Sequence, residues 1–125
     1  MSSGFKTILK LEEILAATIL TPVFQQATGA GAIAMAIAPG AQWELLEVRI
    51  HLSAAGGAGD LTFTDNDGVS AVFDTIFLTE DMTLLTDFPW QPDSPMVFDS
   101  DDVVDIAWPN AGAKTYGVKV IYRLL

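Results

Sequence analysis

Few side chains in this sequence are of a kind that does chemistry, and they lie far apart. His51 is the sole histidine. In the run from Trp43 to Ser53 it alternates with Glu47 and Arg49, opposite Val48, Ile50 and Leu52, which is the outer face of a half-buried strand. A general base needs an oriented partner and a nucleophile, and the sequence sets neither beside it. Cysteine is absent, so disulfides, thiol nucleophiles and thiolate metal sites are excluded. Two acidic runs, Asp65-Asn66-Asp67 and Asp99-Ser100-Asp101-Asp102, carry the oxygen ligands that Ca²⁺ takes. Neither continues with the Gly and Glu spacing of the helix-flanked calcium loop, and Asp and Asn are what turn geometry selects. We read both as turns. The glycines of Ala54 to Gly59 do not follow the phosphate-cradle spacing, and no helix pattern opens after them. Trp90, flanked by Pro89 and Pro92, is an aromatic that could stack a sugar, anchor a partner or pin its own loop. No catalytic, cofactor-binding or metal-ligating residue is assigned, and the expectation is a protein that is not an enzyme.

The totals narrow the partners. With 16 Asp and Glu against 6 Lys and Arg, the formal charge is -10. A chain this negative is repelled by nucleic acid and by anionic lipid, so neither is expected as a partner. Half the residues are apolar and only 18% are charged, below the roughly 25% usual for soluble domains. Outer strand faces must then carry Ala, Thr, Val and Ile, which suits a surface shared with other subunits. The apolar run Gly29 to Ala38 is far short of the roughly 20 residues of a membrane span. The N-terminal apolar run is broken by Lys10, Glu12 and Glu13, unlike a secretory signal.

The elements that would position these groups follow from alternation. Trp43 and Leu45 stand one step out of phase with Val48, Ile50 and Leu52, which predicts a β-bulge near Leu45–Leu46. Thr115 to Leu124 places Tyr116, Val118, Val120, Tyr122 and Leu124 on one face. These two long strands are expected to form the centre of the fold. Further strands are read at Leu61–Thr64, Ala71–Leu78, Pro95–Phe98 and Val103–Trp108, the last with Val104, Ile106 and Trp108 inward. Asp65-Asn66-Asp67-Gly68 is expected to close a hairpin onto Ala71–Leu78. Ala32 to Ala38 sets Ile33, Met35 and Ile37 against an outer face of alanine alone, suited to close approach of another backbone or subunit. Thr79 to Ser94 is expected to be irregular, with Pro89 and Pro92 breaking any ladder in its second half. About eight short strands with turns between them predict an all-β antiparallel sandwich of jelly-roll or Greek-key type. The sandwich is expected over 31–125, preceded by an N-terminal arm or short helix over 1–30. Val23 to Ala30 offers a short strand at the end of that arm.

Several segments resemble small β-sandwich virion proteins of tailed phages. The likeness lies in P-G-A-Q-W-E-L-L-E-V-R-I-H-L-S-A-A (39–55), D-L-T-F-T (60–64), F-D-T-I-F-L (73–78), D-F-P-W-Q-P (87–92), D-D-V-V-D-I-A-W-P-N (101–110) and T-Y-G-V-K-V-I-Y (115–122). The resemblance implies a capsid decoration or cement protein, or a head or tail fibre component, without catalytic residues and often trimeric. Its partners would be itself and the major capsid protein or another virion protein, and its place the virion after synthesis in the host cytoplasm. The interface is expected at Phe5, Ile8, Leu11, Val23 and Phe24 of the arm, at the strand of Ile33, Met35 and Ile37, and at Trp90. The alternative is a tail or fibre recognition module that holds a glycan or receptor through the 79–94 loop.

Overall fold

The computed structural model describes residues 21–125. Phe5, Ile8 and Leu11, and with them the expected arm or helix, lie outside the described residues. Among the described residues nine strands are formed: β1 (Val23–Gly29), β2 (Ile33–Ile37), β3 (Trp43–Leu52), β4 (Asp60–Asn66), β5 (Thr75–Asp81), β6 (Asp87–Trp90), β7 (Met96–Phe98), β8 (Val103–Trp108) and β9 (Tyr116–Leu124). They make two antiparallel sheets. Sheet I has the order β1-β9-β3-β6, with β7 also on β3, and sheet II the order β2-β8-β4-β5. The pairings are nested: β4 with β5, β3 with β6 and β7, β2 with β8, β1 with β9. A long hairpin folded over itself in this way is the jelly-roll arrangement of two Greek keys. Nine strands replace the expected eight because one position is split, β7 facing Trp43–Leu45 and β6 facing Val48–His51.

Strand β3 carries the bulge that its phase break predicts. Its register against β9 shifts between Leu45 and Glu47, so Leu46 is the extra residue. The shift lets Trp43 and Leu45, and then Val48, Ile50 and Leu52, all enter one core. Facing them are Leu61, Phe63, Val104, Ile106 and Trp108 of sheet II. Trp43 stacks on Phe98 with ring centroids 4.7 Å apart and meets Tyr122 edge-on at 5.5 Å. Trp108 donates its indole N–H to the Gly59 carbonyl at 3.2 Å. Gly59 has a φ of 111°, and a β-carbon there would stand 2.3 Å from Pro109 Cγ. Only glycine lets the β3–β4 loop close over this tryptophan.

Four expectations are corrected. Val23–Gly29 pairs residue by residue with β9, so the sandwich begins at Val23 rather than at residue 31. Asp87–Trp90 forms a ladder on β3 despite Pro89; β6 is an edge strand, where a missing N–H faces away from the sheet and costs no ladder bond. The hairpin after β4 does not turn at 65–68. Asp65 and Asn66 remain on the β8 ladder, and the connection runs to Asp74 through a single 3₁₀ turn, Ala71–Phe73, capped by Ser70. Finally, Ile33, Met35 and Ile37 are core residues, 2%, 8% and 0% exposed. They cannot form an interface. The exposed face of β2 is Ala34 and Ala36, and β2 is one of the two edges of sheet II, with the Gln25 side chain donating to the Ala36 carbonyl.

Candidate functional site

Three surface regions stand out from the rest. The first is the outer face of sheet I. Its inward rows, such as Ala27, Val118, Ile50 and Phe88, pack on the core, so the rows between them point outward. Read across β1, β9, β3 and β6, one outward row is Gln26, Lys119, Arg49, Pro89 and the next is Thr28, Gly117, His51, Asp87. The bulge at Leu46 sets this phase, turning Glu47, Arg49 and His51 out while the apolar positions on both sides of it turn in. A groove of about 490 Å³ runs between the rows. Its centre is low because Gly117 has no side chain, and a β-carbon there would meet nothing within 4 Å.

Charges in the groove are partly matched. Arg49 donates through Nε and Nη2 to the two carboxylate oxygens of Glu47, both at 2.9 Å. This hydrogen-bonded pair holds the Glu47 carboxyl below its ordinary range and raises the guanidinium further. His51 Nδ1 lies 2.7 Å from Asp87 Oδ1, a contact that is the main reason the Asp87 carboxyl is held low. Nδ1 therefore carries a proton and Nε2 faces solvent. Lys119 sits directly across from Arg49 with its ammonium 4.7 Å from the centre of the Phe24 ring. His51 thus has a carboxylate partner, but no nucleophile accompanies the pair, which stands in solvent.

The second region is an apolar ridge on the β4–β5 connection and the start of edge strand β5. Val69, Val72, Phe73 and Ile76 are 80%, 85%, 60% and 58% exposed. The strand expected over Ala71–Leu78 begins only at Thr75, and the apolar residues before it stand bare. Phe24, an expected interface residue, is also half exposed, while Val23 is partly covered. Trp90, by contrast, turns its ring inward, edge-on to Phe63 at 5.3 Å and against Phe77 at 6.0 Å. Its outer side contributes to a recess of about 420 Å³ bounded by residues 91–94.

The third region is the acidic end, where both acidic runs meet. Asp67 accepts from Val69 N–H at 2.7 Å, and Asp74 accepts from Asp67 N–H at 2.8 Å. Asp102 accepts from Asp99 N–H at 3.2 Å, and the Asn66 amide donates to Asp105. Asp67, Asp74 and Asp102 are engaged by loop backbone N–H groups, whereas Asp65 and Asn66 lie on β4 and Asp105 on β8 rather than in turns. Among the described residues no group of three or more His, Cys, Asp or Glu is placed to hold a metal ion. Asp65 is the exception within the cluster, with a shielded Oδ1 that has no partner. Burial first, then the charges of Asp102, Asp67, Asp74 and Asp99, push its carboxyl up to about 6.

The groove was beyond sequence reasoning because Arg49, Lys119 and Gln26 meet only through the order of strands in the sheet. Among the described residues no helix is long and apolar enough to cross a membrane.

No family model matches the chain, and no curated protein matches it. Among solved structures the chain is similar to the Yersinia pseudotuberculosis-derived mitogen, with a TM-score of 0.41 and 11% identity over 84% of this chain and 86% of that one. A likeness that loose carries no functional weight.

Proposed function

We propose that the chain is a non-enzymatic structural protein of a phage particle, a decoration or cement protein. It associates with itself as a trimer and with the major capsid protein or another virion protein. The observation that carries this reading is the apolar ridge: four large side chains within 69–76 left in water on a chain of charge -10. Exposed apolar groups gathered in one place are the usual mark of a contact surface. The neighbouring edge of β5, which has no strand partner on its outer side among the described residues, adds backbone donors and acceptors. The resemblance of segments within 39–124 to phage virion sandwiches supports the same reading. Shell stabilisation needs no reacting group, only apolar area and correct geometry at a lattice junction.

The test is occupancy on particles. Val72→Asp/Phe73→Asp is expected to leave the particles undecorated and as heat-sensitive as particles lacking the protein. Full occupancy by this variant would overturn the ridge's role. The contribution of the N-terminal segment is tested by removing residues 1–20 only, because a longer truncation takes away β1.

The alternative, a recognition module of a tail or fibre, draws support from the recess beside Trp90. Trp90→Ala is a poor probe of it, since the indole also packs on Phe63 and Phe77. Gln91→Ala and Asp93→Ala, which line the recess without entering the core, are the variants whose loss of glycan or receptor binding would favour that reading.

A further inference from the structure

The outer face of sheet I has properties that a shell contact does not require. Arg49 and Lys119 are directly opposite one another on β3 and β9, and like charges so placed are unfavourable in a sheet. Two cations stand together here although the described residues hold only four Lys and Arg, the others being Lys114 and Arg123. The acceptors of the groove are already engaged: both Glu47 oxygens by Arg49, and the Asp87 oxygens by His51 and the Thr86 hydroxyl. What remains available is the Lys119 ammonium and groups that can donate. Lys119 makes no close ion pair or hydrogen bond with a described residue; its ammonium stands over the Phe24 ring, and its charge also acts on Glu47 from farther away. The Gln26 amide and the Thr28 hydroxyl, on the same side of the sheet, are likewise uncommitted, and Arg49 Nη1 is not used by Glu47. Between them Gly117 leaves open space, and the groove of about 490 Å³ is large enough for one or two sugar rings.

The geometry points to a binding site for a carboxylate-bearing saccharide on this face. The carboxylate is received by Lys119 with Arg49, the hydroxyls by Gln26, Thr28 and His51 Nε2, and a ring lies over Gly117 against Pro89. An anion is the occupant because the charge in the groove without a hydrogen-bonded counter-charge is the Lys119 ammonium, and the amide and hydroxyl beside it can donate as well as accept. A sugar, rather than an acidic peptide, fits a groove that runs across the strands and offers scattered hydrogen-bonding side chains over a low floor, with the edge strands β1 and β6 only at its two ends. The repulsion of the sugar's carboxylates by the acidic end is screened over about 8 Å at physiological salt. This inference stands apart from the particle role, since it uses a different face from the apolar ridge.

The experiment is a titration of the full chain followed by amide NMR shifts, using digalacturonic acid, its neutral counterpart galactobiose, and a polyglutamate peptide. Digalacturonic acid is expected to shift amides of residues 26–28, 49–51 and 117–119, and to bind at least about tenfold more tightly than the neutral disaccharide, as loss of a charge-assisted contact implies. Gly117→Leu fills the groove with a side chain whose β-carbon meets nothing, and is expected to abolish binding. Lys119→Met keeps the aliphatic stem over Phe24, removes the charge, and is expected to weaken binding about tenfold or more. Equal binding of the two disaccharides, no shift on this face, or unchanged binding by Lys119→Met overturns the proposal. So does binding of polyglutamate alone, which assigns the face to an acidic protein segment.

Discussion

Asp65 makes stability depend on pH in a direction opposite to that of most surface carboxylates. Its ordinary value of 3.8 is pushed up to about 6 in the folded protein, chiefly by burial and then by Asp102, Asp67, Asp74 and Asp99. Between those two values the native state holds a proton that the unfolded chain has released, so stability falls as pH rises through the window. A displacement of about two pKa units corresponds to at most ~3 kcal/mol. Asp65 is only partly buried, and screening by water reduces this to about 1 kcal/mol. Asp65→Asn keeps the shape and removes the charge. It is expected to raise stability at pH 7 by about 1 kcal/mol, or roughly 3–4 °C in Tm for a domain of this size, and to have little effect at pH 4. Circular-dichroism melts of both proteins at pH 4, 5, 6 and 7 and constant ionic strength supply the readout. The parent is expected to lose stability between pH 4 and 7, and the variant to lose less. Glu47, Asp81 and Asp87, whose carboxyls are held low by their partners, act in the opposite sense as pH falls through their ordinary values of 4.5, 3.8 and 3.8, at the acid end of this range. If Asp65→Asn lowers Tm at pH 7, or leaves the slope between pH 4 and 7 unchanged, the assignment of the charge penalty to Asp65 is refuted.

Two further predictions concern the frame. Asn110, 4% exposed and at φ 49°, accepts from Lys114 N–H at 2.8 Å and donates to the Gly31 carbonyl at 2.8 Å, tying the β1–β2 and β8–β9 turns together. Asn110→Ala orphans these backbone groups and keeps the unfavourable φ, so a loss of about 2–3 kcal/mol is expected from urea unfolding; a change under about 0.5 kcal/mol would contradict the tie. Deleting Leu46 removes the bulge residue, so that either Trp43 and Leu45 or Val48, Ile50 and Leu52 must face solvent. At about 1.5–3 kcal/mol per side chain this exceeds a typical domain's margin, and the near-ultraviolet circular dichroism of a fixed core is expected to vanish; a cooperative, natively packed deletion variant would contradict it.

What the sequence disclosed follows a physical rule. Strands with one face in the core announce themselves by alternation, so β3 with its bulge, β8 and β9 could be read directly, and so could the burial of Trp43 and Trp108. Strand β6 escaped because Pro89 reads as a breaker unless the strand is known to lie at an edge. Strand β5 began later than its apolar residues suggested, because Val72 and Phe73 are apolar without being buried. Alternation places Ile33, Met35 and Ile37 inward, as they are found; only Ala34 and Ala36 of that strand are left for a neighbour, so the interface expected at the three larger residues has no exposed side chain there. Trp90 was singled out for its loop, yet its ring is claimed by Phe63 and Phe77. The groove depends on Lys119 lying opposite Arg49, a relation that exists only once β9 has been inserted between β1 and β3.

Self-association through an exposed apolar surface is decided by the mass of the full chain in solution over a dilution series, measured by light scattering alongside Val72→Asp/Phe73→Asp. A trimer that dissociates on dilution, and a variant shifted to the single chain at every concentration, is the expected result. A parent protein that stays a single chain up to its solubility limit, or a variant that trimerises as well as the parent, would contradict it.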